Sequence, residues 1–334
     1  MASGVPFTAG FELPGYTSGL ALQNQSGWLW DGTGQSTSGN SSAVVQSAIT
    51  HTGSQAVQVT KVANSDRHWA VPTTSYPGPP IVYPTQRFVT IDWDMRVSEA
   101  PASSSYGPFF GVDANDRTLP GAAKVLGSLG VEASTGLVLY QEGQTAFFAD
   151  TGTTVLFDQW NHFRIVLDFI TDSYRGFVNG VQVASTGFAD DTFSQDLNTF
   201  SDADIMTVAV DGDPVSQGLT STAYYDNFVV RDGLVGDYDL DGDVDTVDYN
   251  RWRESFGNPV AVPGNLTDGS GNGIVDAADY VAWRNNLGAS LFVGTTPGLG
   301  SALGGAIVPE PATVAIGVLG YLMALCLTMP ARRR

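Results

Sequence analysis

Residues 236–288 contain one acidic pattern twice, with the two copies 31 residues apart. The first copy reads DYDLDGDVDTVD from Asp237, and the second reads DGSGNGIVDAAD from Asp268. Each copy carries oxygen-bearing side chains at positions 1, 3, 5, 9 and 12 and a glycine at position 6. This is the ligand spacing of a calcium loop, in which position 7 adds a backbone carbonyl. Because the ligands are all oxygen, the pattern predicts one Ca²⁺ per copy rather than Zn²⁺.

The loop positions give two predicted ligand sets. The first consists of the side chains of Asp237, Asp239, Asp241, Asp245 and Asp248 with the carbonyl of Asp243. The second consists of the side chains of Asp268, Ser270, Asn272, Asp276 and Asp279 with the carbonyl of Ile274. More carboxylates in the first loop predict tighter binding there. The alternative, an acidic solvated linker, would not place glycine and apolar residues in register twice.

Each loop runs into a predicted helix. The apolar faces have i, i+3, i+7 spacing and consist of Tyr249, Trp252 and Phe256 in one copy and Tyr280, Trp283 and Leu287 in the other. A loop followed by one helix, repeated, resembles the type I dockerin over residues 236–289. The resemblance implies calcium-dependent folding, antiparallel helices and docking to a cohesin module through loop positions 10 and 11, here Thr246, Val247, Ala277 and Ala278. The Tyr-x-x-Trp-Arg helices depart from the cellulosomal pattern, so another surface protein remains open as the partner.

Residues 5–232 have the pattern of many short strands. In Phe88 to Val97 and in Asn161 to Ile170, apolar and polar residues alternate as in a half-buried strand. Asn179-Gly180 predicts a type I′ hairpin turn within Tyr174 to Val183. Further predicted strands are 56–62, 136–141, 146–149, 205–210 and 224–231. The fold class is therefore mainly β, a sandwich or jelly roll followed by the small all-α calcium-binding repeat and a C-terminal hydrophobic helix.

Three stretches of this segment carry a second resemblance. They are WNHFRI from Trp160, FVNG from Phe177 and YDNFVV from Tyr225. Their succession resembles the concanavalin A-like lectin/glucanase superfamily, particularly its laminin-G-like members. The resemblance implies a jelly-roll sandwich whose role is carbohydrate binding, adhesion or polysaccharide cleavage, because members of this fold perform all three.

The sequence assigns no catalytic residue to the sandwich. A retaining glycosidase needs two carboxylates about 5 Å apart. The four glutamates of the segment, Glu12, Glu99, Glu132 and Glu142, lie far apart in sequence. Asp92 and Asp94 share one face of a predicted strand. We expect that face to be solvated, and a hydrolase or lyase stays the alternative to a binding module.

Other polar and aromatic residues of the segment give weaker predictions. The histidines His51, His68 and His162 lack metal-ligand or triad spacing and are expected to be structural or exposed. Five aromatics are expected in the core or, as the alternative, against a sugar ring, namely Trp28, Trp30, Trp69, Tyr76 and Tyr83. A further calcium site at loop tips is the alternative to simple turn chemistry for Asp202, Asp204, Asp211, Asp213, Asp226 and Asn227.

The C-terminal residues have the order of a sorting signal. After a Gly/Ser/Thr/Pro-rich linker at 290–307 come Val308, Pro309, Glu310 and Pro311, an apolar run to Met329, and Arg332, Arg333 and Arg334. The run is long enough to span a bilayer, and the arginines favour a cytoplasmic end. Residues 308–334 resemble the PEP-CTERM signal. This implies transient insertion in the inner membrane, cleavage by an exosortase, and delivery to the cell surface or extracellular matrix of a Gram-negative bacterium.

Charge excludes one class of partner. With 15 Lys and Arg against 34 Asp and Glu, the net charge is −19, so we expect no nucleic-acid partner. The single cysteine, Cys326, rules out an intramolecular disulfide. The first thirteen residues lack the basic and apolar regions of a signal peptide, from which we expect a true start further upstream.

Overall fold

The computed structural model describes residues 7–31, 40–70, 88–117, 123–145, 147–190, 197, 199–260, 267–270 and 272–291. The sorting signal at 308–334, the linker, Tyr76 and Tyr83 lie outside these ranges. None of the helices in the described part has the length and apolar character that a membrane crossing requires.

Fifteen strands and three helices occur within the described ranges. The strands are β1 Phe7–Ala9, β2 Leu29–Asp31, β3 Ser42–Gln46, β4 Ala56–Lys61, β5 Arg67–Ala70, β6 Phe88–Val97, β7 Phe109–Asp116, β8 Lys124–Glu132, β9 Leu137–Gln141, β10 Phe148–Thr154, β11 Asn161–Asp168, β12 Ser173–Val178, β13 Val181–Gly187, β14 Asp202–Val208 and β15 Ser221–Asp232. The helices are α1 Pro214–Gly218, α2 Thr246–Ser255 and α3 Ala277–Asn286.

The strands form two antiparallel sheets. Sheet A has the order β13-β12-β11-β6-β15-β4-β3, with β1 also paired to β15. Sheet B has the order β10-β9-β8-β7-β14-β5-β2. The predicted mainly β, sandwich-like architecture is confirmed, and Asn179-Gly180 joins β12 to β13 with φ angles of +49° and +81°, as a type I′ turn requires.

One apolar core lies between the two sheets. On β6, Ile91 and Trp93 point into it, and the Trp93 ring stacks on Phe163 of β11 at 5.5 Å between ring centroids. Trp28 and Trp69 are also buried here, so the structure places both in the core rather than on a sugar-binding surface. The alternation predicted for β6 is therefore correct for its inward face.

Several details differ from the sequence-based predictions. β10 runs from Phe148 to Thr154 instead of 146–149, because it is an edge strand with every second side chain exposed and little apolar patterning to mark it. The alternative of a further calcium site at loop tips does not fit the structure, because its residues are spread over both sheets. Asp202 and Asp204 are buried on β14, Asp226 is buried on β15, and Asp213 caps the N-terminus of α1.

Candidate functional sites

The first candidate site is the loop that precedes α2. Carboxylate oxygens of Asp237, Asp239 and Asp248 all lie within 4.8 Å of one another. The loop closes because Asp237 Oδ2 accepts the N–H of Gly242 at 3.0 Å and Asp248 Oδ2 accepts the N–H of Asp245 at 2.7 Å. Gly242 has φ +97°, a conformation that suits glycine at the sharp turn of such a loop.

Charge repulsion in this loop favours a bound cation. Burial raises the pKa of Asp237 to about 7, and the nearby charges of Asp248, Asp241 and Asp239 add to the rise, which the hydrogen bond from Gly242 only partly offsets. Burial also raises the pKa of Asp239 and of Asp248. The residues present fit Ca²⁺, since a hard divalent cation bound by several carboxylates relieves this repulsion.

The second loop repeats the same hydrogen-bonding scheme before α3. Asp268 Oδ2 accepts the N–H of Gly273 at 2.7 Å, and Asp279 Oδ2 accepts the N–H of Asp276 at 2.7 Å. Ser270 donates its N–H to Asp279 Oδ1 at 2.8 Å, as Asp239 does to Asp248 in the first loop. The duplication seen in the sequence is thus a duplication in three dimensions, with Ser270 and Asn272 where the first loop has carboxylates.

The last four residues of each loop also form the start of its helix. Asp245 and Asp276 are the N-caps of α2 and α3, and Asp248 and Asp279 complete a capping box at the third helical position. Positions 9 and 12 of each loop are therefore fixed by helix formation. Both helices end earlier than the aromatic spacing predicts, and Phe256 and Leu287 are partly exposed C-caps rather than members of a buried face.

The two halves of the repeat are joined by reciprocal tryptophan contacts. Trp252 of α2 donates its indole N–H to the Asp276 carbonyl at 2.8 Å, and Trp283 of α3 donates to the Asp245 carbonyl at 2.6 Å. Trp283 also forms a small buried cluster with Tyr238 and Val244, and Trp252 packs against it. Each helix thus supports position 9 of the loop in the other half.

The predicted docking residues are on the surface of the repeat. Thr246 and Val247 at the start of α2 are exposed, and so are Ala277 and Ala278 at the start of α3. Val247 is 45% exposed.

The repeat is attached to the outer face of sheet A. Leu291 is 1% exposed and packs in a cluster with Phe88, Val166 and Phe177 of that sheet. Its N–H donates to the Gly242 carbonyl of the first loop at 2.8 Å. The contacts of the repeat thus extend to Leu291, beyond the boundary at residue 289 that the repeat pattern indicates. Leu291 contacts both the candidate calcium loop and the sandwich.

Asp92 and Asp94 are neither solvated nor a free catalytic pair. Both are about 2% exposed, so the predicted solvated face is wrong. Asp92 accepts hydrogen bonds from Arg164 at 2.6 Å and Arg231 at 2.9 Å, and its other contact is His162 Nε2 at 3.2 Å. The neighbouring strands β11 and β15 supply these partners, which is why a single strand does not reveal them.

Asp94 completes the ion-pair network. Its oxygens lie 2.9 Å from His162 Nδ1 and 2.8 Å from His51 Nδ1, and Asn227 donates to it at 2.7 Å. Burial disfavours a charged imidazole, but the hydrogen bonds and charges of the two carboxylates outweigh it and raise the pKa of His162 to about 9. Burial would raise the pKa of Asp92, but His162 and the two arginines lower it to about 2. The low pKa values of Asp92 and Asp94 and the high pKa of His162 keep these three groups charged at neutral pH, as in a structural ion-pair cluster.

The second candidate site is a groove on the outer face of sheet B, with a volume of about 590 Å³. Phe109 and Leu139 form its floor, and the exposed rings of Tyr106, Phe147 and Phe148 line it. Gly111 and Gly130 allow the Phe109 ring to lie against the sheet, since a Cβ at either position would come within 2.9 Å of that ring. The sequence-based reasoning missed this site, although Phe147-Phe148 beside a polar edge strand was a usable signal.

Three carboxyl groups border the groove. Asp150 and Asp211 are exposed. The Glu132 carboxylate is buried and accepts N–H groups from Gly107 at 2.7 Å and Thr135 at 2.9 Å. Glu132 therefore holds the backbone beside the groove and has no free oxygen for acid–base chemistry.

No protein-family model and no curated protein matches this sequence. Among solved structures, a sialidase is 13% identical with a TM-score of 0.44, and the match covers 79% of this chain but only 22% of the sialidase. The cellulose-induced protein Cip1 is 13% identical with a TM-score of 0.45, covering 68% of this chain and 97% of Cip1. An endo-β-1,4-glucuronan lyase from the fungus Trichoderma reesei is 11% identical with a TM-score of 0.40, covering 61% and 94%. These similarities concern the arrangement of strands alone.

Proposed function

We propose that this chain is an exported, surface-sorted protein that binds two Ca²⁺ ions in its tandem loops and binds carbohydrate with its sandwich. The observation that carries the calcium proposal is the convergence of Asp237, Asp239 and Asp248 within 4.8 Å at a sharp glycine turn. Bound calcium would supply positive charge to these carboxylates. The protein holds them in place through the backbone N–H groups of the loop and the helix caps.

Calorimetric titration of the full chain with Ca²⁺ tests this proposal. We expect two ions for the native protein, one for Asp237→Asn or Asp268→Asn, and none for the double variant. Asp243→Asn is the matched control, because it removes a charge from the same loop but keeps the carbonyl that the site would use. A native protein that binds no calcium, or a double variant that still binds two ions, would contradict the proposal.

Carbohydrate binding is supported by the groove on sheet B. Open aromatic rings beside carboxylates and backbone groups suit sugars, which offer apolar ring faces and many hydroxyl groups. Phe147 is 75% exposed and Tyr106 is 55% exposed, so both rings are accessible to a ligand.

A glycan array probed with the full chain in calcium tests this second part. Phe147→Ala should weaken groove binding by about tenfold, equivalent to about 1.4 kcal/mol. Ile170→Ala, which alters an equally exposed apolar residue in the turn after β11 of the other sheet, should leave binding unchanged. No binding to any glycan, or equal loss in both variants, would argue against the groove.

The docking and sorting functions complete the proposal. Thr246, Val247, Ala277 and Ala278 would contact a cohesin-like or other surface protein, and their exposure supports this role. Val247→Asp should abolish capture of such a partner without loss of calcium binding. Replacing Pro309 and Pro311 by Ala should leave the protein in the inner membrane, and normal surface release of that variant would contradict exosortase sorting.

A further inference from the structure

We infer that the groove on sheet B selects glycans that carry no acidic group, namely neutral and amino sugars, and rejects uronic acids, sialic acids and sulfated sugars. This inference rests on the proposed carbohydrate binding and names the substrate class of the same groove. It depends on which charges line the groove and which are kept away from it.

All charged side chains among the described lining residues are acidic. Asp150 and Asp211 are exposed at the rim, and Glu132 lies beneath it. Sites that bind a sugar carboxylate or sulfate use Arg or Lys, which pair with the anion and offset its loss of hydration. The described lining includes neither residue type.

The described basic side chains elsewhere in sheet B are paired with carboxylates, far from the groove, or on the inward face of the sheet. Arg117 pairs with Asp202 at 2.6 Å and Asp204 at 3.1 Å. Lys124 begins β8, eight residues before Glu132, which corresponds to about 26 Å along an extended strand. Arg67 shares its strand face with Trp69, which lies in the core between the sheets.

The undescribed ranges add few further cations. They contain Arg87, which directly precedes β6 of sheet A, and the three terminal arginines. The net charge of −19 adds a long-range repulsion of anionic polymers, screened over about 8 Å at physiological salt. An ammonium group on a sugar would instead be attracted to Asp150 and Asp211.

Paired glycans that differ only in charge test the inference. The full chain, loaded with calcium, is probed with β-1,4-linked hexamers of glucose, glucosamine and glucuronic acid, and with mannan and mannuronan hexamers. Binding is counted only where Phe147→Ala reduces it. We expect the groove to bind the neutral or amino hexamers. Their uronic-acid counterparts should bind at least tenfold more weakly or not at all.

The carboxylates provide a second readout. Asp150→Asn combined with Asp211→Asn should weaken glucosamine binding about threefold more at low salt than it weakens binding of the neutral hexamer. Groove-dependent binding of a uronic-acid hexamer as tight as its neutral counterpart would overturn the inference while the proposed function stands. If no glycan on a broader array shows groove-dependent binding, the proposed function of the groove fails, and the inference fails with it.

Discussion

Replacement of Leu291 by Ala should destabilise the sandwich from a position outside its core. Leu291 is buried against Phe88, Val166 and Phe177, and its N–H is bonded to the Gly242 carbonyl of the first loop. The side chain therefore loses its packing partners if either the sheet surface or the loop changes. We expect the variant to unfold at lower urea concentration and to respond less to calcium.

The size of the effect follows from burial. A fully buried Leu→Ala substitution costs about 2–5 kcal/mol in transfer and cavity free energy. Calcium at 100 times its dissociation constant adds about 2.7 kcal/mol for each site that binds only the folded protein. In the native chain, Leu291 couples this calcium term to sheet A, so chelation should lower the stability of β6 and β11. In the variant, the same chelation should affect mainly the repeat.

Urea unfolding with and without a calcium chelator, followed by hydrogen exchange of β6 and β11 amides, measures both effects. Leu156→Ala is the matched control, since Leu156 is 68% exposed and its removal should cost less than about 0.5 kcal/mol. A Leu291 variant as stable as the Leu156 control would refute the packing argument. If hydrogen exchange of the β6 amides in the native chain is the same with and without calcium, the coupling between calcium binding and sheet A is refuted.

Two further predictions concern single residues. The pKa of His162 is raised to about 9, so the stability that its charge contributes is complete below its unfolded pKa near 6.5 and disappears as the pH rises through 9. The difference in urea midpoint between native protein and His162→Gln should therefore shrink from pH 6 to pH 10, and a constant difference would show that the charge contributes nothing. Gly242 has φ +97°, so Gly242→Ala should introduce roughly 1–2 kcal/mol of backbone strain and weaken calcium binding at the first loop only. Calorimetry that shows two unchanged sites would contradict this assignment.

Local patterns were sufficient to predict much of the chain. The alternation in β6 and β11, the Asn179-Gly180 turn and the duplicated loops all depend on residues close in sequence, where side-chain period and turn chemistry act directly. The mainly β architecture followed from the number of such strands. Three of the predicted calcium ligands, Asp237, Asp239 and Asp248, also lie close together as the spacing indicates.

Contacts between distant residues could not be read in this way. Asp92 and Asp94 looked solvated because their partners come from other strands, with His162 opposite Asp94 and Arg164 opposite Asp92 in the pairing of β6 with β11. The outer face of β6 is buried by residues from other parts of the chain, and the sequence of β6 alone does not indicate them. The groove was missed for the same reason. Tyr106 and Phe147 are far apart in sequence, and both line the groove only because of the order of the strands in sheet B.

The reciprocal tryptophan contacts predict how the fluorescence of the repeat responds to metal binding. Because Trp252 rests on the second loop and Trp283 on the first, the fluorescence of each indole should report metal binding in the half to which it does not belong.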